Sequence, residues 1–552
     1  MNLDATTGTQ SSSIALAPGK YIYHVDLFSG AGASGSITGS LDAVVDTSVT
    51  SSVSVAIGKP ITGITLGPSG YSVAIGQTGA IYATPTTASG AFTFAAPSDL
   101  TYVSSDTSKL TAAADGADGS SCDVTGVLTG TATVTAKSTS TNVSSIPLSV
   151  SVATSSGAKK KWTIMVFLNA ANSLTDYALP NYLQMQQAVS GTDAQIVVAF
   201  KEAVMDQKSS GPLDWTFTGS DDTRYYLVQP STGTSIVGSP LKDLGAGVDM
   251  GSYTTLANFI AYCKKNYPAD RYVLDMWDHG QGWQLAAKRP TSIVRGVSYD
   301  DTTSHHIDTW DMDKALSGGN NVDILSYDAC DMQSLEAGYQ VRNYVNFLVG
   351  SEDLTPGNGY DYSIALLPFF NNASGDSATL AHGFVDQMVD DTGPGKIYAG
   401  QAVCQSVVDA SKLTAAAAAI DSLGQALLAN KTTIGAISDH ARSYATKFDI
   451  DHYYHMYYDM YGLADMLQNT SGVPTNVATA AASVKSALQA AVLYNRFDTR
   501  DAGANGLTID FSDSATFLSA IPSTAPTLSA QYSNLAFAKD YPNWYNWLKV
   551  AP

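Results

Sequence analysis

The chain has 552 residues, 44% of them hydrophobic, and 29 Lys and Arg against 49 Asp and Glu give it a formal charge of −20. That length exceeds a single core and calls for about two to four globular domains. So acidic a surface excludes nucleic acid as a natural partner, gives no hold on an anionic membrane, and favours substrates that present Lys or Arg.

The first segment, MNLDATTGTQSSS, lacks the basic and apolar regions of a signal peptide and reads as a processed start with an added Met. Residues 1–58 are rich in Ser, Thr, Gly and Val. Lys20–Ser29 and Ser48–Ile57 alternate like half-buried strands around the turn GAGASG, which predicts a small β-sandwich module. Over 59–153, short runs such as PITGITLGPSGYSVAIGQTGAIYATP are broken by Gly and Pro at close intervals, the pattern of a second sandwich. Its later pieces, YVSSDTSKL and VTGVLTGTATVTAKS, resemble bacterial immunoglobulin-like domains of the invasin/intimin type. That resemblance implies a spacer, and an exported protein whose secretory or lipoprotein leader has been removed. Residues 154–161, ending in KKK, read as a linker.

From Trp162 to Pro552 the pattern becomes α/β alternation, which predicts a largely parallel central sheet with helices on both faces. WTIMVFLNA is a first buried strand, 176–189 a helix and QIVVAF a second strand. DWTF and RYYLVQ predict a hairpin over 214–229, and 252–266 a helix. Ile307–Leu316 is the expected crossover helix, Met332–Val341 a helix, VNFLVGS a strand, Leu413–Ala429 and Val477–Leu493 two Ala-rich helices, and Gly506–Ser512 a strand. No apolar run reaches membrane-spanning length.

Two of these strands carry chemistry. VDILSYDAC ends in Cys330, and RYVLDMWDHG ends in His279 and Gly280. Parallel strands present their carboxyl ends on one edge, where α/β folds place their sites. The sequence separation of 51 between the two residues leaves room for a crossover connection. Two neighbouring strands so ended bring a thiol to an imidazole that can accept its proton. The four cysteines (Cys122, Cys263, Cys330 and Cys404) show no CxxC pair and no zinc spacing, which excludes a dense disulfide framework but not a single bridge.

With WDHGQGW, YDAC and the following DACDMQSLEAGYQVRNYVNFLVGSEDLTPGNGYDY, the stretch from Lys161 to Leu548 resembles clan CD cysteine peptidases of caspase-like fold, specifically the clostripain family. The resemblance implies Cys330 as nucleophile, His279 as proton donor to the leaving amine, and Gly280 and Cys330 as backbone oxyanion donors. Asp328, which shares a strand face with Cys330 at i and i+2, matches the family's acid for Arg or Lys before the cut. The loop SEDLTPGNGYDY adds Asp353 and Asn358 as pocket candidates, and Trp283 either lines the pocket or packs. Asp278 beside the histidine points to the opposite strand face and reads as structural. Members of the family are often self-cleaved between histidine and cysteine, which makes Lys288, Arg289 and Arg295 candidate processing sites. No cofactor is required by the resemblance, and calcium is left open.

Two competing readings remain. One is a catalytically silent adhesion or scaffold protein that binds through its β modules and its peptidase-like domain. The other is a metal hydrolase on His452 and His455 with Asp449, Asp451 and Asp459 nearby; no HExxH or EF-hand pattern accompanies them, and the adjacent His305 and His306 diverge in direction.

Overall fold

The computed structural model describes the chain except for residues 1–19, 31–33, 47–53, 58, 75–77, 97, 115–119, 154–158, 203–204, 208–214, 218–220, 239, 284–295, 445–456 and 521–525. It divides into two compact units, Met1–Ala158 and Lys159–Pro552.

Among the described residues of the first unit all regular structure is β. Lys20–Gly30 and Ser34–Asp46 pair as an antiparallel hairpin. Two further sheets enclose one core, to which Ile64, Ile81 and Val124 come from one sheet and Val73, Val134 and Val150 from the other. The period-two burial of Gly130–Ser138 shows why: alternate residues face the facing sheet. The hairpin is bonded to these sheets, since Ser40 and Ala95 exchange backbone hydrogen bonds and Ser120 Oγ donates to Asp42 Oδ2 at 2.9 Å. The strand expected over Ser48–Ile57 falls mostly outside the described residues; Val55–Ala56 is a short strand.

The second unit is built on one nine-stranded sheet. In chain order its strands are β1 (Lys160–Ala170), β2 (Ala194–Glu202), β3 (Thr223–Leu227), β4 (Lys242–Gly245), β5 (Ala269–Trp277), β6 (Val322–Asp328), β7 (Val345–Gly350), β8 (Cys404–Asp409) and β9 (Val492–Phe497). Their spatial order is β4-β3-β2-β1-β5-β6-β7-β8-β9. The segment β2-β1-β5-β6-β7 is parallel, and both flanking pairs are antiparallel. The sheet is therefore mixed, with a parallel centre.

Strand β1 shows the physical basis. Its Ile164, Val166 and Leu168 enter one core with α1 (Thr175–Ala188) and the helix Ser377–Asp390. Its Met165 and Phe167 enter the other, with α2 (Tyr253–Asn266), α3 (Met312–Leu316), α4 (Leu335–Val341) and Leu413–Ala429. A strand covered on both faces has no polar side, which is why it reads as a continuous apolar run. Ser252 caps α2 by accepting from Thr254 N–H, and Lys264 and Lys265 oppose the dipole at its other end.

Three local expectations are corrected. The strand at Trp215–Phe217 pairs with Met205–Gln207, while Thr223–Leu227 joins the main sheet against β2, so 214–229 is not one hairpin. Ile307 pairs with Val297 in a hairpin, leaving only a 3₁₀ turn and α3 for the crossover. The helix after Cys330 starts at Leu335, not Met332. Gln333 is drawn into extended pairing, donating to Ser351 O and accepting from Thr508 N–H at 3.0 Å each, and Ser334 then caps α4.

Candidate active site

The two chemistry-bearing strands are neighbours. β5 and β6 run parallel with Trp277 opposite Asp328, so they end at the same level. Beyond that point Asp278 N–H donates to Asp328 O at 3.3 Å. Gly280 then lies against the next turn so closely that a Cβ there would stand 2.4 Å from Cys330 O and 2.9 Å from Ala329 Cβ. The histidine and cysteine segments therefore meet at one lip of the sheet. β6 stops at Asp328, however, and Cys330 sits in the turn beyond it. The strand-face argument linking positions 328 and 330 does not carry across that turn.

The half-buried His279 is held from three sides. Its Nε2 is 2.9 Å from Ser173 Oγ, its ring meets Tyr299 edge-on at 6.1 Å, and its backbone N–H donates to Asp278 Oδ1. The buried Asp278 also accepts from Asn172 Nδ2 at 2.7 Å, and the same amide donates to Tyr299 O at 2.8 Å. Asn172 and Ser173 belong to the turn after β1. That turn therefore ties the histidine segment to the hairpin that carries Tyr299.

Cys330 is half-buried and forms no disulfide. Thr355 N–H donates to its sulfur at 3.2 Å, with Thr355 Oγ1 at 3.5 Å. Burial, aided by the Asp331 carboxyl, pushes the thiol up to about 12, so it rests protonated at neutral pH. Asp331 adopts φ +58°, a left-handed turn that aspartate tolerates. Its N–H donates to Asp353 O, which fastens the loop after β7 to the cysteine turn.

Asp328 is 4% exposed. Its Oδ2 accepts from Tyr360 N–H at 2.9 Å and from Tyr362 hydroxyl at 3.0 Å, while Oδ1 is buried without a partner. Gly359, at φ +61°, lets the backbone cross this carboxylate: a Cβ there would fall 2.4 Å from Oδ2. Burial first, then the neighbouring Asp275, holds Asp328 well above the usual aspartate range.

The other sequence candidates separate. Asp353 is half-buried, and the acids that face it are Asp331 and Asp501. Asn358 is half-buried and its carbonyl accepts from Asn181 Nδ2 at 3.0 Å, which anchors the loop to α1. Trp283 is fully buried edge-on against Tyr532, with centroids 4.7 Å apart. It packs in the core. Lys288, Arg289 and Arg295 lie outside the described residues, as do His452, His455, Asp449 and Asp451. Asp459 caps the helix Met460–Asn469 by accepting from Gly462 N–H. His305 pairs with Asp249, and His306 stacks on Tyr299. Among the described residues no group of three or more His, Cys, Asp or Glu is placed to hold a metal ion. Ser173, Thr355, Tyr362 and Asp275 went unnoticed in the sequence. Their partners are distant in the chain and no short motif marks them.

With this geometry in hand, comparison with known proteins assigns the class. A model of the Clostripain family (peptidase C11) matches residues 166–550. The chain belongs to that family of cysteine proteases. Clostripain of Hathewaya histolytica is 24% identical over 411 residues, covering 65% of this chain and 76% of that protein. An inactive zymogen of a C11 protease from Parabacteroides distasonis shares the fold, at 19% identity over 70% of this chain and 99% of its own, with a TM-score of 0.50. A secreted C11 cysteine protease from Bacteroides thetaiotaomicron, solved with an irreversible peptide inhibitor, aligns at 21% identity over 64% of this chain and 92% of its own, with a TM-score of 0.48. No helix among the described residues is long and apolar enough to cross a membrane.

Proposed function

We propose that the chain is an exported endopeptidase that cuts proteins and peptides after Arg or Lys through Cys330 and His279. The observation that carries this reading is the level ending of β5 and β6, with Gly280 seated on the Cys330 carbonyl. The thiol rests protonated, so its proton passes to the imidazole as sulfur attacks the scissile carbonyl carbon. The backbone N–H groups of Gly280 and Cys330 receive the oxyanion. The imidazolium then protonates the leaving amine as the C–N bond breaks, giving a thioester. Water, deprotonated by the imidazole, cleaves the thioester to release the acid and restore the thiol.

Asp328 selects the basic residue. Its unpartnered oxygen gains a donor when an ammonium or guanidinium arrives, whereas a neutral side chain leaves it unpaired. Asp353 and Asn358 support the same reading as anchors of the loop that closes this pocket. These steps call on the chain's own groups and require no cofactor. The first unit we read as an immunoglobulin-like spacer at the cell surface or on a secreted enzyme. Lys288, Arg289 and Arg295 are the proposed sites of self-cleavage.

Fluorogenic peptides with Arg, Lys or norleucine at the cut test the reading. We expect turnover of the first two only, abolished by Cys330→Ala and His279→Ala. Asp328→Asn should lower kcat/KM for basic peptides by about a hundredfold or more, as expected for losing one partner of a desolvated charge pair. Turnover that survives Cys330→Ala would exclude the mechanism. Intact mass of the purified chain, searched for fragments ending at the three basic positions, tests self-cleavage.

A further inference from the structure

Asp275, on β5, is fully buried beside the carboxylate just described, and nothing in the mechanism uses it. The hydroxyl of Tyr362, on the short helix Tyr362–Ala365, lies 2.6 Å from Asp275 Oδ2 and 3.0 Å from Asp328 Oδ2. That hydroxyl owns one proton and can donate it to one carboxylate. The second contact needs a proton of its own, because two bare oxygens at such a distance repel. Donor counting therefore requires that the two carboxyls hold at least one proton between them while both contacts stand.

The surroundings agree. From β6 the pair faces Ser326; from the loop and helix after β7, Tyr360 N–H and Tyr362; from the segment after the helix Ser377–Asp390, Tyr398, whose hydroxyl donates to Gly359 O; and from β8, Gln405, which accepts from Tyr360. The tyrosines among them are pushed above their ordinary range by burial and stay neutral. No Lys, Arg or His is bonded to either carboxyl among the described residues. Burial holds both acids well above ordinary aspartate, and their mutual repulsion adds to the rise at Asp328.

We propose that Asp275 is a second, deep acid of the specificity pocket, sharing one proton with Asp328 through Tyr362, and that a lysine or arginine seated on Asp328 drives this proton into solvent. The inference rests on Asp328 being the acid that receives the basic residue. A cation beside a carboxyl pair favours its fully ionised form. Recognition is then linked to proton release, and affinity for a basic residue rises with pH by at most about tenfold per unit until the pair is ionised. A single aspartate in an ordinary site, ionising near ~4, shows no such dependence at neutral pH.

Calorimetry on the full chain carrying Cys330→Ala tests this directly. A peptide with Lys at the cut is titrated at pH 7 in two buffers of different ionisation enthalpy, with a norleucine peptide as control. We expect release of roughly half a proton or more with lysine and none with norleucine. Adding Asp275→Asn, which removes one of the two acids and leaves burial alone to raise Asp328, should at least halve the release. Tyr362→Phe, which retains both carboxyls, should at least halve it and decides the matter alone if Asp275→Asn fails to fold. Unchanged release in these variants overturns the proposal. If instead Asp328→Asn keeps full preference for lysine over norleucine, the assignment of Asp328 itself has failed.

Discussion

Gly280→Ala is the most economical probe of the meeting between the two strand ends. The added methyl would stand 2.4 Å from the Cys330 carbonyl oxygen and 2.9 Å from both Ala329 Cβ and Met332 Cγ. Met332 can swing aside, but a backbone oxygen and a Cβ cannot. Restoring ordinary contact at 3.4 Å or more requires the histidine and cysteine segments to part by about 1 Å. A displacement of that size between reacting groups costs on the order of a hundredfold in rate. We therefore expect kcat/KM on an Arg or Lys peptide to fall by about that factor. Far-ultraviolet circular dichroism and the melting transition check that the fold survives. Gly357→Ala is the matched control: it is exposed, lies in the loop after β7, and its Cβ would meet the Tyr177 ring at an unstrained 3.5 Å, so activity should stay within about twofold. Activity of Gly280→Ala within threefold of the parent, on an intact fold, would refute the placement of His279 against Cys330.

Ser173→Ala removes the group at His279 Nε2. One such bond is worth about 1.5 kcal/mol, so kcat should fall roughly tenfold at nearly constant KM, with rescue by Ser173→Thr. An unchanged kcat and pH profile would show that Ser173 does not orient the ring. Stability should depend on pH in an unusual direction. Burial raises Asp275, Asp328, Glu336, Asp501 and Asp510 above their unfolded values, so between about pH 4 and neutrality the folded chain keeps protons the unfolded chain has lost. Their contribution is complete below the unfolded values and disappears as pH rises through the folded ones, by up to about 1.4 kcal/mol per unit for each group. Urea midpoints should therefore fall from pH 5 to pH 8, and a midpoint that climbs over that range would contradict the placement of these carboxyls.

Much of this molecule can be read from its strands because buried parallel strands advertise themselves. WTIMVFLNA, RYVLDMW and VDILSYD supply apolar residues to the cores on both faces of the sheet, and the ends of the last two point to His279 and Cys330. Local pattern fails where long-range pairing overrides it. Ile307 looks helical with its neighbours, yet Val297 captures it in a hairpin. Met332 and Gln333 look like a first helical turn, yet Ser351 and Thr508 hold Gln333 extended. The outer strands of the sheet turn antiparallel, which no period in the sequence distinguishes from parallel. The same limit hid the supporting residues of the site. Ser173 lies 106 positions before its histidine, and Tyr362 lies 87 positions from Asp275. Trp283 sits four residues beyond His279, but the packing of Tyr532 and the hydroxyl of Tyr457 on its N–H bury it.

The central claim is that Cys330 attacks a carbonyl beside a basic residue held by Asp328. It is tested most directly by incubating the full chain with a peptide acyloxymethyl ketone bearing lysine next to the electrophile, then mapping the adduct by mass spectrometry. The predicted result is one adduct per chain, on Cys330, formed about a hundredfold faster than with the norleucine analogue and slowed to the norleucine rate by Asp328→Asn. Adducts on Cys122, Cys263 or Cys404, all buried, or equal rates for lysine and norleucine, would contradict it.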